Sequence, residues 1–169
     1  MSRVFDPPRL ARLLVSWEIG PSVGRQFVVE AKREGAEFIE AEHMLLALAA
    51  SPESDAARLL KEFGLDHERL AAALHEERRQ TLAVVGMKTP DTRVGEATEL
   101  DSSPSLGTSA KVAVRRALIG SRHDRRRARL RGTDLLAGIL EAEFGTVPRA
   151  LAIAGIDRLV LLARARASE

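Results

Sequence analysis

Arg58-Leu59-Leu60-Lys61-Glu62-Phe63-Gly64-Leu65-Asp66 returns later in the chain as Arg149-Ala150-Leu151-Ala152-Ile153-Ala154-Gly155-Ile156-Asp157. In both copies a run with helical apolar spacing meets a glycine, and an aspartate one apolar residue further on is placed to start another helix. Working outward, Val23 and Phe27 answer to Ala110 and Val114, and Leu45 and Leu48 to Ala137 and Leu140. The offset is about 87 residues at Ser22/Ser109, about 92 at Glu42/Asp134 and about 91 at Gly64/Gly155, so roughly five residues are inserted within the second copy. A duplicated helical unit builds a two-lobed body with related grooves, an architecture that points to binding before catalysis.

Composition agrees with helices. The chain of 169 residues is 45% hydrophobic and 30% charged, with 4% aromatic residues and no tyrosine, and it is rich in the strong helix formers Ala, Leu, Arg and Glu. Without cysteine, neither a disulfide framework nor a thiolate metal site can form. No apolar run approaches the roughly 18 residues of a membrane span, and Met-Ser-Arg-Val-Phe-Asp-Pro-Pro lacks the core of a signal peptide, so a cytoplasmic protein is expected. The net charge of +2 is unevenly shared: residues 22–79 hold twelve Asp/Glu against eight Lys/Arg, and residues 108–167 hold thirteen Lys/Arg against five Asp/Glu. One lobe should be acidic and the other basic.

Within residues 1–19, Leu10, Leu13, Leu14 and Trp17 follow helical spacing after Pro8, which predicts a short leader helix that packs on the first lobe or meets a partner. Residues 20–82 form the first repeat: a helix from Ser22 to Glu34 stopped by Gly35, a loop at Phe38–Ile39, a compact helix Ala41–Ala50, a helix opened by Ser51-Pro52 and closed by Gly64, and a last helix capped by Asp66 with Leu70, Leu74 and Leu82 facing inward. Gly86, Pro90, Gly95, Pro104 and Gly107 mark a linker over 83–107. Residues 108–169 form the second repeat, with Thr133 and Asp157 as N-caps and Gly155 as a stop. The expected fold is all-α, two pseudo-symmetric four-helix repeats behind a leader helix.

Catalytic signatures are missing. His75-Glu76-Glu77-Arg78-Arg79 has arginine where the second histidine of a zinc-protease helix is required, and Gly86-Met87-Lys88-Thr89 lacks the upstream glycine of a phosphate loop. No nucleophile elbow or credible carboxylate pair occurs, so no enzyme activity, cofactor or metal is implied. His43 reads as a packing residue near a helix start. The loudest charge feature is residues 111–131, with nine Lys/Arg and Asp124 the sole acid. Its arginines Arg122, Arg125, Arg126, Arg127, Arg129 and Arg131 could contact an acidic protein partner, grip nucleic-acid phosphates or form a solvated face; no aromatic residue interleaves them as a single-strand binder would require.

The stretch Glu30-Ala31, Gly35, Ile39 and Glu42-His43-Met44-Leu45-Leu46-Ala47-Leu48, continuing through Ala57-Arg58-Leu59-Leu60 to Phe63-Gly64-Leu65-Asp66, resembles the N-terminal domain of the Clp/Hsp100 unfoldases, especially the ClpC type. The second copy adds Gly132-Thr133-Asp134-Leu135-Leu136-Ala137-Gly138-Ile139-Leu140. The resemblance covers roughly residues 20–82 and 106–165. Glu40-Ala41 stands where that family has Gly-Thr, Leu135 stands where it has His, and a protein without the ATPase modules is expected. What the resemblance implies is recruitment of protein substrates or adaptors, here by a stand-alone accessory factor or decoy. It also implies recognition of phosphorylated arginine, with Glu42 and Asp134 taking the guanidinium and Thr133 with nearby amides approaching the phosphate. Capping of helix starts is the plainer explanation of Glu42, Thr133 and Asp134. The alternative from another class is a nucleic-acid-associated regulator using the arginines of 122–131.

Overall fold

The computed structural model describes residues 20–87, 104–121 and 130–167; the leader helix proposed for 1–19 lies outside them. The first repeat carries α1 (Gly20–Arg33), β1 (Phe38–Ile39), α2 (Ala41–Ala49), α3 (Asp55–Glu62) and α4 (His67–Val84). The second carries β2 (Ser105–Leu106), α5 (Thr108–Ser121), α6 (Gly132–Leu140), α7 (Thr146–Ile153) and α8 (Arg158–Ala167). The fold is all-α, four helices in each repeat. Phe38–Ile39, read from sequence as loop, pairs in parallel with Ser105–Leu106, two residues from each side, and Gly107 N–H extends the contact to Ile39 O at 2.8 Å.

The repeated Gly-apolar-Asp segment works the same way twice. At the end of α3, Gly64 adopts φ 68°, its N–H reaches Lys61 O at 2.9 Å, and Leu65 N–H reaches Leu60 O at 2.9 Å. At the end of α7, Gly155 adopts φ 74°, with Gly155 N–H on Ala152 O at 3.0 Å and Ile156 N–H on Leu151 O at 2.9 Å. These bonds satisfy carbonyls that a helix end would leave unpaired, and the left-handed residue turns the chain. The aspartate then opens the next helix: Asp66 accepts from Arg69 N at 2.8 Å, and Asp157 accepts from Leu159 N at 2.8 Å. Arg69 ties the two turns together across the repeats, donating to Gly64 O at 3.1 Å and to Ala154 O at 2.9 Å.

Two helix starts differ from the sequence reading. Ser51 does not open α3; its hydroxyl donates back to Ala47 O at 2.8 Å, because Pro52 and Glu53 fold as a turn that moves the cap to Ser54, which accepts from Ala56 N at 3.2 Å. Thr133 is not an N-cap either: Arg131 occupies that position and Thr133 is the second residue of α6. The Glu42/Asp134 equivalence fails with it. In both repeats the residue three beyond the N-cap returns its side chain to the cap's N–H, His43 to Glu40 and Asp134 to Arg131. The copies therefore register at about 91 residues through this helix, which pairs Glu42 with Thr133 and His43 with Asp134.

Helices α2 and α6 form the centre. Ala41 and His43–Leu48 are buried in α2, and all of α6 except Asp134 is buried, the all-round burial expected of an interior helix. Phe27, Met44, Leu45, Leu48, Leu60, Leu65 and Leu70 from the first repeat and Leu135, Leu136, Ile139, Leu140 and Leu151 from the second are fully enclosed, within one continuous apolar cluster. Helix α5 crosses α6 so closely that a Cβ on Gly138 would lie 2.3 Å from Ala113 O and 2.8 Å from Ala117 N. Both obstacles are backbone, which cannot swing aside. Gly138→Ala is expected to destabilise the fold by about 2–3 kcal/mol despite alanine's better helix propensity, measured as a lowered midpoint in urea denaturation.

Candidate functional site

Burying the start of α2 leaves its first backbone N–H groups in need of partners, and residues from several elements supply them. His43, 2% exposed, accepts the Glu40 N–H through Nδ1 at 2.9 Å. Nε2 then carries the ring proton and donates to the Glu34 carboxylate at 3.2 Å, which also takes Arg78 at 2.5 Å. Ala41 N–H donates to Ser109 Oγ at 2.8 Å. Ser109 in turn sends both N–H, at 2.8 Å, and hydroxyl, at 2.5 Å, to the Glu40 carboxylate, so Glu40 of the first repeat caps α5 of the second. Gly107 makes room for it, since a Cβ there would lie 2.0 Å from Glu40 Oε1.

Glu42 is different. It is half-buried in the first turn of α2, and its side chain has no hydrogen bond to another residue and no ion pair among the described residues. Burial raises its pKa above 4.5; its own backbone amide and His43 oppose this, while Glu34 and Glu40 add to it. An incoming cation would relieve that penalty.

The pseudo-equivalent end, the start of α6, is closed. Thr133 is 2% exposed and its hydroxyl donates to Asp55 Oδ2 at 3.0 Å. Arg131 Nε lies 3.4 Å from the same oxygen, and Asp134 accepts the Arg131 N–H at 2.8 Å. Thr133 and Asp134 thus stand together, as the sequence placed them, but their polar atoms are engaged within the chain. Glu42 belongs to the other helix start. Arg122, Arg125, Arg126, Arg127 and Arg129 lie outside the described residues, leaving Arg131 as the visible member of that group. Among the described residues no cluster of His, Cys, Asp or Glu could hold a metal ion, and no helix is long and apolar enough to cross a membrane.

Asp55 and Glu40 are the residues that the sequence reading missed. Each acts in the repeat to which it does not belong, 78 residues from Thr133 and 69 from Ser109, a separation without local signal. Ser54-Asp55 lies inside the helix that the sequence reading opened at Ser51-Pro52, and nothing local there marks a contact with the second repeat.

Burial by itself would raise the Glu34 carboxyl, but hydrogen bonds from His43 and Arg78 more than reverse this and bring it from 4.5 to about 2. A carboxylate with a depressed folded pKa supports the fold above its unfolded value, and the support is lost as pH falls from 4.5 through about 2. Glu34→Gln is expected to cost on the order of 2 kcal/mol at neutral pH. The gap from the unmodified chain should close across that acid range, followed by denaturant titration at each pH.

Comparison with known proteins places this arrangement. The Clp repeat (R) N-terminal domain matches over residues 28–154. The chain is similar to the N-terminal domain of the caseinolytic protease associated chaperone ClpD from Arabidopsis thaliana, with 19% sequence identity, 90% of this chain and 94% of that chain covered, and a TM-score of 0.65; at that identity the likeness speaks for the fold. No curated protein sequence matches. With two copies of the helix-turn-cap unit registered on one core and the domain match spanning most of both, the chain belongs to the Clp repeat N-terminal domain family.

Proposed function

We propose that this protein is a recognition module of the Clp type, holding segments of other proteins as an accessory factor or decoy for an unfoldase system and performing no reaction of its own. Domains of this family recruit substrates and adaptors, and the all-helical double repeat supplies the same scaffold. The observation that carries the reading is Glu42, a half-buried carboxylate without an ion-pair partner among the described residues. A fold rarely keeps a partly desolvated charge without a partner unless a partner comes from outside. The cation to meet it is an arginine or lysine of a bound segment. A phosphorylated arginine is the form that the family resemblance suggests, with its guanidinium on Glu42. The cytoplasm is the compartment proposed for this work.

Glu42 separates binding from folding. Glu42→Gln keeps the shape and removes an unmatched charge, so the variant should be at least as stable as the unmodified chain while binding a fluorescently labelled unfolded casein about tenfold more weakly. Fluorescence anisotropy with a parallel thermal melt checks both; equal affinity in the two proteins would remove Glu42 from the contact. Asp134→Ala should behave in the opposite way. It deletes a helix cap, lowering stability by about 1 kcal/mol and leaving casein affinity unchanged.

A further inference from the structure

Gly155-Ile156-Asp157 repeats the turn Gly64-Leu65-Asp66, but the helix it opens has a different outer face. At the offset of about 91 residues that joins the two turns, Leu159 and Val160 of α8 stand where α4 has Glu68 and Arg69, and Ala163 where it has Ala72. Arg69 donates to Gly64 O and Ala154 O, and the aliphatic Val160 has nothing to donate. Leu159 is left 61% exposed and Val160 51%, with Ala163 and Ala167 exposed further along. Leu161, Leu162 and Ala165 bury the inner side. Positions 159, 160, 163 and 167 fall within about 100° of one another around a helix, so α8 is apolar towards the core and apolar towards solvent. An apolar outer side on a surface helix marks a contact with something beyond the body that buries the inner side.

The charges around that side suit a copy of itself. Arg164 Nη2 meets Glu62 at 3.2 Å and Arg166 Nη2 meets Glu141 at 2.7 Å, so the rim brings no bare like charge against an identical rim. Along its length α8 is polarised, with Asp157 capping its start and Arg164 and Arg166 in its last turn. Two such helices laid antiparallel set acidic start beside basic end twice over and oppose their dipoles, whereas a parallel pair would set like ends together. Ala163, small and midway along the face, lets the two backbones approach at the crossing. We infer that the outer face of α8 is a self-association surface, and that its partner is a second copy of this chain, antiparallel about a two-fold axis near Ala163. Leu159, Val160, Ala163 and Ala167 on one ten-residue helix bury less than a standard interface, so the dimer is weak, half-formed at roughly 100 µM. Glu42 takes no part in the contact, which stands or falls separately from the recognition reading.

Sedimentation velocity on the full chain, from about 10 µM to about 1 mM, should show a reversible monomer–dimer equilibrium. Leu159→Glu together with Val160→Arg gives α8 the pair that α4 carries. That variant should be monomeric across the range, with a thermal midpoint within about 2 °C of the native chain's, because both side chains are exposed. The chain has no cysteine, so Ala163→Cys introduces a single thiol. Mild oxidation should cross-link it into dimers across the axis, and should fail to do so when Leu159 and Val160 are replaced as well. A native chain that stays monomeric at the highest concentration, as it would if residues 1–19 or another segment covered the face, overturns the inference. A dimer that survives the double substitution overturns it too, as does a dimer that Ala163→Cys cannot cross-link.

Discussion

The burial of α2 and α6 around nearly their whole circumference is the constraint from which the rest follows. A helix enclosed on all sides by apolar neighbours still begins with backbone N–H groups that its own turns cannot satisfy, and those groups cannot be left dry. Each central helix therefore draws polar atoms inward. At α2 these are His43, backed by Glu34 and Arg78, and Ser109 from the second repeat. At α6 the cap's N–H goes to Asp134, while Asp55 of the first repeat meets the Thr133 hydroxyl beside it. The same polar contacts that settle the helix starts join the repeats, so core burial and the joining of the halves are one problem solved once.

Much of the fold was legible because the deciding signals are local. Gly64-Leu65-Asp66 and Gly155-Ile156-Asp157 fix a stop, a turn and a restart within a few residues, and the apolar periods of α1, α4 and α5 need no knowledge of the partner surface. The register of α2 on α6 was not legible by matching like with like. Aligning Glu42 to Asp134 pairs acid with acid and is one residue out, because the equivalent positions are defined by what caps the helix, a histidine in one copy and an aspartate in the other. The Phe38–Ile39 pairing with Ser105–Leu106 was likewise invisible, since two residues cannot display a strand's alternation.

The candidate site was half legible. Glu42, Thr133 and Asp134 are residues at helix starts, as their sequence suggested, but whether a polar side chain at such a position is free or engaged depends on what the opposite repeat brings to it. Nothing near Thr133 in sequence announces Asp55, and nothing near Glu42 announces that its neighbours Glu40 and Glu34 are already committed to Ser109 and to His43 with Arg78. Much of the acidic excess of the first repeat is thus internal bonding; Glu37, Glu53 and Glu68 carry their charge at exposed positions, and Glu42 carries its at a half-buried one.

Divergence between the repeats follows the same logic. At the first residue of α3 a carboxylate, Asp55, stands where α7 has Thr146, and it bonds to the start of α6. Asp55 adds bonds to the second repeat, whereas Glu42 has no ion-pair partner among the described residues. Another cross-repeat pair lies elsewhere: buried Glu77 accepts from Arg149 at 2.6 Å, and from Thr81 of its own helix at 2.8 Å. These bonds lock the repeats without involving Glu42. Rigidity of that kind favours binding, since an end held in place by its surroundings loses little freedom when a ligand arrives.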